Sequence, residues 1–164
     1  MHATTMVSSG ALPGAAMEMA RRHAGGDAPL LISGQAGAGR ARMARAVHYL
    51  GPRRLRPFIP LHCAALYGRQ LEDALPELVR MADGGTLFLD EVAHLPAGGQ
   101  EALWRLLQAR SEPAVRWIAG ADDLPARAAA GACHGALLQW LATARIDLPP
   151  QLPQAVRSQP GSMR

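Results

Sequence analysis

The sequence has no lysine and no asparagine among its 164 residues. All of its 17 Lys-or-Arg positions are therefore arginine, set against 13 acidic residues for a net charge of +4. The first absence excludes a phosphate-binding lysine at any register, and the second excludes a catalytic asparagine. The two cysteines, Cys63 and Cys133, have no CxxC spacing and no zinc-ligand pattern around them. They read as reduced thiols, one near a strand end and one in a loop or helix start. No apolar run approaches the roughly 18 residues needed to span a bilayer, and the N-terminal stretch lacks a signal-peptide core. A cytoplasmic location without membrane association is the default expectation. Alanine, glycine, proline and arginine are abundant along the whole chain. The pI of about 10.0 thus reflects compositional drift and is weak evidence for nucleic acid.

What is present is enough for one domain with a proper core: 49% hydrophobic and 18% charged residues, a globular balance. The chain is organised around Gly84-Gly85-Thr86-Leu87-Phe88-Leu89-Asp90-Glu91. A Gly-Gly turn feeds an apolar run without polar alternation, as in a strand buried on both faces of a parallel sheet. Two carboxylates end it, where ligands sit in open α/β sheets. In P-loop proteins such a pair is the Walker B element, Asp90 helping to hold Mg²⁺ and Glu91 orienting a water. The plainer reading is a core strand followed by a solvated acidic turn.

Upstream, Pro29-Leu30-Leu31-Ile32-Ser33 reads as a second buried strand running into Gly34-Gln35-Ala36-Gly37-Ala38-Gly39-Arg40-Ala41 and then a helix. Strand, glycine-rich loop, helix is the setting of a Walker A loop, whose backbone N–H groups curl around phosphate oxygens. Here Arg40 stands where lysine belongs, and Ala41 where a hydroxyl ligates the metal. The shape is kept while the chemistry is altered.

Residues 1–12 are expected to be a flexible N-terminus, 13–150 the α/β core and 151–164, rich in Pro, Gln and Ser, a loose tail. Helices are expected over 13–23, with Pro13 in the first turn, then 40–50, 70–82, 96–110 and 134–143. Met43, Val47 and Leu50 form one apolar face, and Leu103, Leu106 and Leu107 another. Further strands are expected at Pro57–Leu61, Ala114–Ala119 and Arg145–Leu148, the first at a sheet edge because of its two prolines. Arg53, Arg54 and Arg56 read as a solvated turn in preference to a phosphate or DNA contact. His2, His23, His48 and His94 lack ligand spacing and read as surface or helix-end residues. Met6, Met17, Met19 and Met43 read as packing. Trp104, partly exposed on the helix after the carboxylates, is the first candidate for a partner contact. Five strands alternating with helices give an α/β three-layer sandwich around a parallel sheet.

In order and register, Leu31–Arg40, Ala44–His48, Leu61–Leu66, Ala82–Glu91 and Ile146–Pro150 resemble the AAA+ domain of sigma-54-dependent bacterial enhancer-binding proteins, over about residues 12–152. The resemblance implies a P-loop sheet of order 5-1-4-3-2, ATP or ADP with Mg²⁺ as ligand, and a family activity in which a ring hydrolyses ATP to remodel sigma-54 RNA polymerase. It implies a nucleotide site at Gly34, Gly37, Ala38, Gly39, Arg40, Ala41, Asp90 and Glu91, with Asp90 on any metal.

The family's chemistry is changed at most of its positions. Its switch asparagine falls on His62, its sensor asparagine near Asp122, and its two trans-acting arginines on His134 and Trp140. Leu66–Ala82 leaves no room for the loop that touches the sigma factor, and the helical lid and the helix-turn-helix are expected to be absent. No residue is assigned as catalytic, Glu91 being vestigial. The expected function is a pseudo-ATPase that contacts a sigma-54 activator or sigma-54 RNA polymerase, with no direct DNA binding and no required cofactor. The alternatives are a P-loop ATPase with residual ATP binding or slow hydrolysis, and a truncated remnant without a role.

Overall fold

The computed structural model describes residues 13–65, 70–109, 114–122, 126, 131 and 134–150. Along the chain run α1 (Gly14–Ala24), β1 (Leu30–Ser33), α2 (Arg40–Tyr49), β2 (Phe58–His62), α3 (Gln70–Met81), β3 (Thr86–Asp90), α4 (Ala97–Ala109), β4 (Arg116–Ala121), α5 (Gly135–Leu141) and β5 (Ala144–Asp147). Short 3-10 turns follow β2 at Cys63–Ala65 and β3 at Val92–His94.

All four strand pairings are parallel, in the order β2-β3-β4-β1-β5, the expected order read from the other edge. Side chains alternate across a strand, so a doubly buried strand feeds two cores at once. Leu30 and Ile32 of β1 pack with Phe88, Ile118 and Met43, Ala44 and Val47 of α2 on one face. Leu31 packs on the other with Leu87, Leu89, Ala119 and residues of α3, α4 and α5. The result is helix, sheet, helix. Strand β2 lies at an edge, as its prolines require, with Pro60 paired to Phe88.

The structure departs from the sequence reading in several places. Pro13 precedes α1 with extended ψ of 153° and so does not belong to its first turn. Strand β4 runs over Arg116–Ala121, two residues later than expected. The Ala-Gly-Ala end has no strand propensity of its own, and it is held as strand by pairing with Ile32 and Ser33 of β1. Met6 and Cys133 lie outside the described residues.

Arg53 is not a solvated turn residue. Its guanidinium joins Asp27 Oδ1 at 3.0 Å to the carbonyls of Gly84 at 2.9 Å and Ala114 at 3.0 Å, tying together loops below the sheet. Arg116, which is buried, donates to the carbonyls of His23 at 2.6 Å and Ala24 at 3.2 Å, satisfying the C-terminal carbonyls of α1. Burial lowers its pKa.

His48 stands in the last turn of α2, as a helix-end residue would, but is buried. Its Nε2 lies 3.1 Å from the Arg56 carbonyl and its Nδ1 2.8 Å from Thr86 Oγ1. A carbonyl only accepts, so Nε2 carries the proton and Nδ1 accepts from the threonine, leaving a neutral ring fully paired. Burial lowers the pKa of His48 below its usual 6.5, against the Arg56 carbonyl, which raises it. A depressed histidine pKa means the unfolded chain binds the extra proton first. Its stabilising effect is therefore complete above about pH 6.5 and is lost as the pH falls below it. Thermal melts of wild type and His48→Gln between pH 7.5 and 5 should show a decline that is shallower in the variant, the remainder including His23, whose pKa is also lowered by burial. Parallel slopes would remove His48 from the account.

Candidate functional site

The site forms where β1 and β3 end, with β4 running between them. After β1, Gly34 N donates to Ala121 O at 3.0 Å, and Ala38 N closes a tight turn on Gln35 O at 2.9 Å. Gly37 at φ 83° and Gly39 at φ 97° take left-handed conformations that side-chain-bearing residues rarely adopt, and Gly39 leads directly into α2. The backbone path is that of a phosphate cradle at a helix N-terminus. An open cavity of about 280 Å³ lies there, lined by Gly37, Gly39, Arg40, Ala41, Arg42 and Asp90.

Arg40 turns inward. Its side chain is only 5% exposed; Nη1 donates to Gly34 O at 2.9 Å, Nε lies 3.1 Å from Asp90 Oδ1, and Nη2 donates to Glu91 Oε1. Gly120 on β4 opens the path, since a Cβ there would meet Asp90 Oδ1 at 2.6 Å. Glu91 has its second oxygen, Oε2, 3.1 Å from His94 Nε2, and Asp90 Oδ1 also accepts from Glu91 N at 3.0 Å. Each oxygen of Glu91 thus has a partner, Arg40 on one side and His94 on the other. Its backbone sits at φ 57°, ψ 42°, a left-handed conformation that costs a residue with a Cβ about 1–2 kcal/mol. The structure brings His94 to the site, where the sequence offered no signal beyond its place three residues after Glu91.

The other expected positions fall into place differently. His62 is exposed at the end of β2 with Nδ1 3.8 Å from Asp90 Oδ2. Asp122 is exposed immediately after β4. His134 is half-buried at the start of α5: its Nδ1 accepts from Leu137 N at 3.2 Å, its Nε2 is 3.4 Å from Glu101 Oε2, and its ring lies 5.7 Å from that of Trp104. Trp140 packs edge-on against Trp117 at 6.2 Å. Neither carries the guanidinium that an arginine would offer there. Cys63 lies buried beneath the site, its thiol pushed up to about 12 by burial and by Asp90 and Glu91, which leaves it unreactive.

A Mg²⁺ ion does not fit this arrangement. Both carboxylates already bear on a guanidinium, Ala41 supplies no hydroxyl, and among the described residues no cluster of three His, Cys, Asp or Glu could hold a metal.

The family description that matches is "Sigma-54 interaction domain", over residues 16–151. The chain belongs to the sigma-54 interaction domain family. Among curated relatives, the response regulator PilR of Pseudomonas aeruginosa is 39% identical over 112 residues, 59% of this chain and 24% of PilR. The Psp operon transcriptional activator of Escherichia coli is 37% identical over 150 residues, 76% of this chain and 46% of the activator. This sigma-54 interaction domain therefore spans under half the length of either relative. Among solved structures, NtrX from Brucella abortus in complex with ADP superposes with a TM-score of 0.77 at 25% identity, covering 88% of this chain and 38% of NtrX. The P-loop NTPase domain of an E. coli sigma-54 activator gives 0.60 at 24% identity, covering 80% of this chain and 96% of that domain. These likenesses agree with the strand order described above. No described helix of this sigma-54 interaction domain is long and apolar enough to cross a membrane.

Proposed function

We propose that this sigma-54 interaction domain is a non-hydrolysing AAA+ regulator that tunes sigma-54-dependent transcription by contact with an activator or with sigma-54 RNA polymerase. The observation that carries the reading is the guanidinium of Arg40 between Asp90 and Glu91. A positive group fixed where the cation belongs opposes the metal, and a glutamate held between Arg40 and His94 is drawn away from a water-orienting role. His134 and Trp140 support the same reading, because neither has the guanidinium with which an arginine finger serves a neighbour's nucleotide.

The second reading is a nucleotide-binding P-loop ATPase with slow hydrolysis. The left-handed Gly37 and Gly39 and the open cradle favour it, as does the ADP named for NtrX. Release of inorganic phosphate from Mg-ATP separates the two. The purified chain should turn over at least a thousandfold more slowly than the ~1 s⁻¹ of an ordinary slow enzyme. Steady release abolished by Glu91→Gln would establish the second reading. For the regulatory role, a sigma-54 activator mixed with the chain should co-elute with it and change its rate of phosphate release; separate elution at unchanged rate would remove the role.

A further inference from the structure

We propose that the cradle of this domain takes its phosphate ligand, a nucleoside di- or triphosphate, as the metal-free anion, with Arg40 as the resident cation. Arg40 has five N–H donors, of which three are placed on Gly34 O, Asp90 and Glu91. Arg40 also lines the cavity, together with Arg42 and the glycine loop. Two donors thus remain beyond its protein partners, on a group that cannot lose its charge. Arg40 and Arg42 together offset Asp90 and Glu91, so the site is electrically balanced without a metal, and the N-terminus of α2 adds the partial positive charge that favours an anion. An anion arriving alone meets donors. An anion arriving with Mg²⁺ brings a dication toward carboxylates already engaged and a guanidinium that repels it.

The inference rests on the reading of Arg40 given above, and the two fail separately: phosphate release refutes non-hydrolysis, whereas metal-dependent binding refutes the present proposal. The test is calorimetric titration of the intact chain with ADP and with ATP, in 5 mM Mg²⁺ and again in excess EDTA. Wild type should bind in EDTA at least as tightly as in Mg²⁺, to within threefold. Arg40→Lys withdraws the fork from the carboxylates and should reverse the preference, so that chelation weakens binding tenfold or more. Ala41→Glu places a negative charge in the first turn of α2, where it suits the helix, and should weaken binding in EDTA at least tenfold. That variant keeps the test decisive even if Arg40→Lys does not fold. A tenfold loss of wild-type affinity on chelation, no saturable heat in either buffer, or unchanged binding by Ala41→Glu would each overturn the proposal.

Discussion

Replacing Gly85 with alanine should destabilise the domain by about 3 kcal/mol, near the upper end of what overpacking a core costs, and lower its melting temperature by roughly 6–12 °C. A Cβ on Gly85 would lie 2.0 Å from the carbonyl oxygen of Pro57 and 2.9 Å from its carbonyl carbon, both backbone atoms. No rotamer relieves such a contact. The same oxygen accepts from Thr86 N at 2.9 Å, the first rung between β2 and β3. Relief would push the edge strand off the sheet at the end where pairing begins, and Phe58 with it. Gly14→Ala is the matched control: nothing lies within 4 Å of the added carbon at the start of α1, and that variant should melt no lower than wild type. A Gly85→Ala chain within 1 kcal/mol of wild type in denaturant titration would mean that β2 and β3 are not spaced as described.

The same glycine shows how far the sequence could be read. Gly84-Gly85 announced a turn before a buried strand, and a turn is there, with Gly84 at φ 72°. The second glycine answers to a different constraint, the approach of Pro57, which adjoins it only after the chain has folded. Local signals served well wherever one segment carries its own pattern: the doubly apolar strands, the proline-bearing edge and the helix faces, with the exception of Leu50, which was expected on the apolar face of α2 but caps its end and is 44% exposed. They failed where a side chain works at long range. Arg53 looked like a solvated turn because its acceptors stand 31 and 61 residues away in sequence. His48 is the helix-end residue it looked like, but its burial was not legible because Thr86 is 38 residues off.

The site follows the same division. The cradle and the carboxylate pair are legible, each being a short contiguous motif with its own turn chemistry. The link between them spans 51 residues from Arg40 to Glu91 and depends on the missing side chain of Gly120, on a third strand. An arginine in place of lysine announces altered chemistry without saying where its guanidinium goes. Turned outward it would still contact a phosphate. Turned inward, it serves as the counter-ion of Asp90 and Glu91.

That inward turn gives the second large effect. Arg40→Met should cost about 2–3 kcal/mol, because breaking a buried ion pair from one side strands the other partner. The figure sits at or below the lower end of the usual range, since the side chains of Asp90 and Glu91 keep 21% and 14% exposure and gain some water when unpaired. Methionine preserves the apolar stem, so the loss reports on the charge and on the hydrogen bond to Gly34 O. Two adjacent carboxylates without a cation should also acquire one: Mg²⁺ or Mn²⁺ at a hundred times its dissociation constant would restore about 2.7 kcal/mol to the variant. Wild type, whose carboxylates are occupied by Arg40, should show no such gain. The measurement is a denaturant titration of both chains with and without millimolar Mn²⁺. An Arg40→Met chain as stable as wild type in EDTA would show that the guanidinium does not sit between Asp90 and Glu91. A wild type stabilised by Mn²⁺ as strongly as the variant would show that it does not keep a cation out.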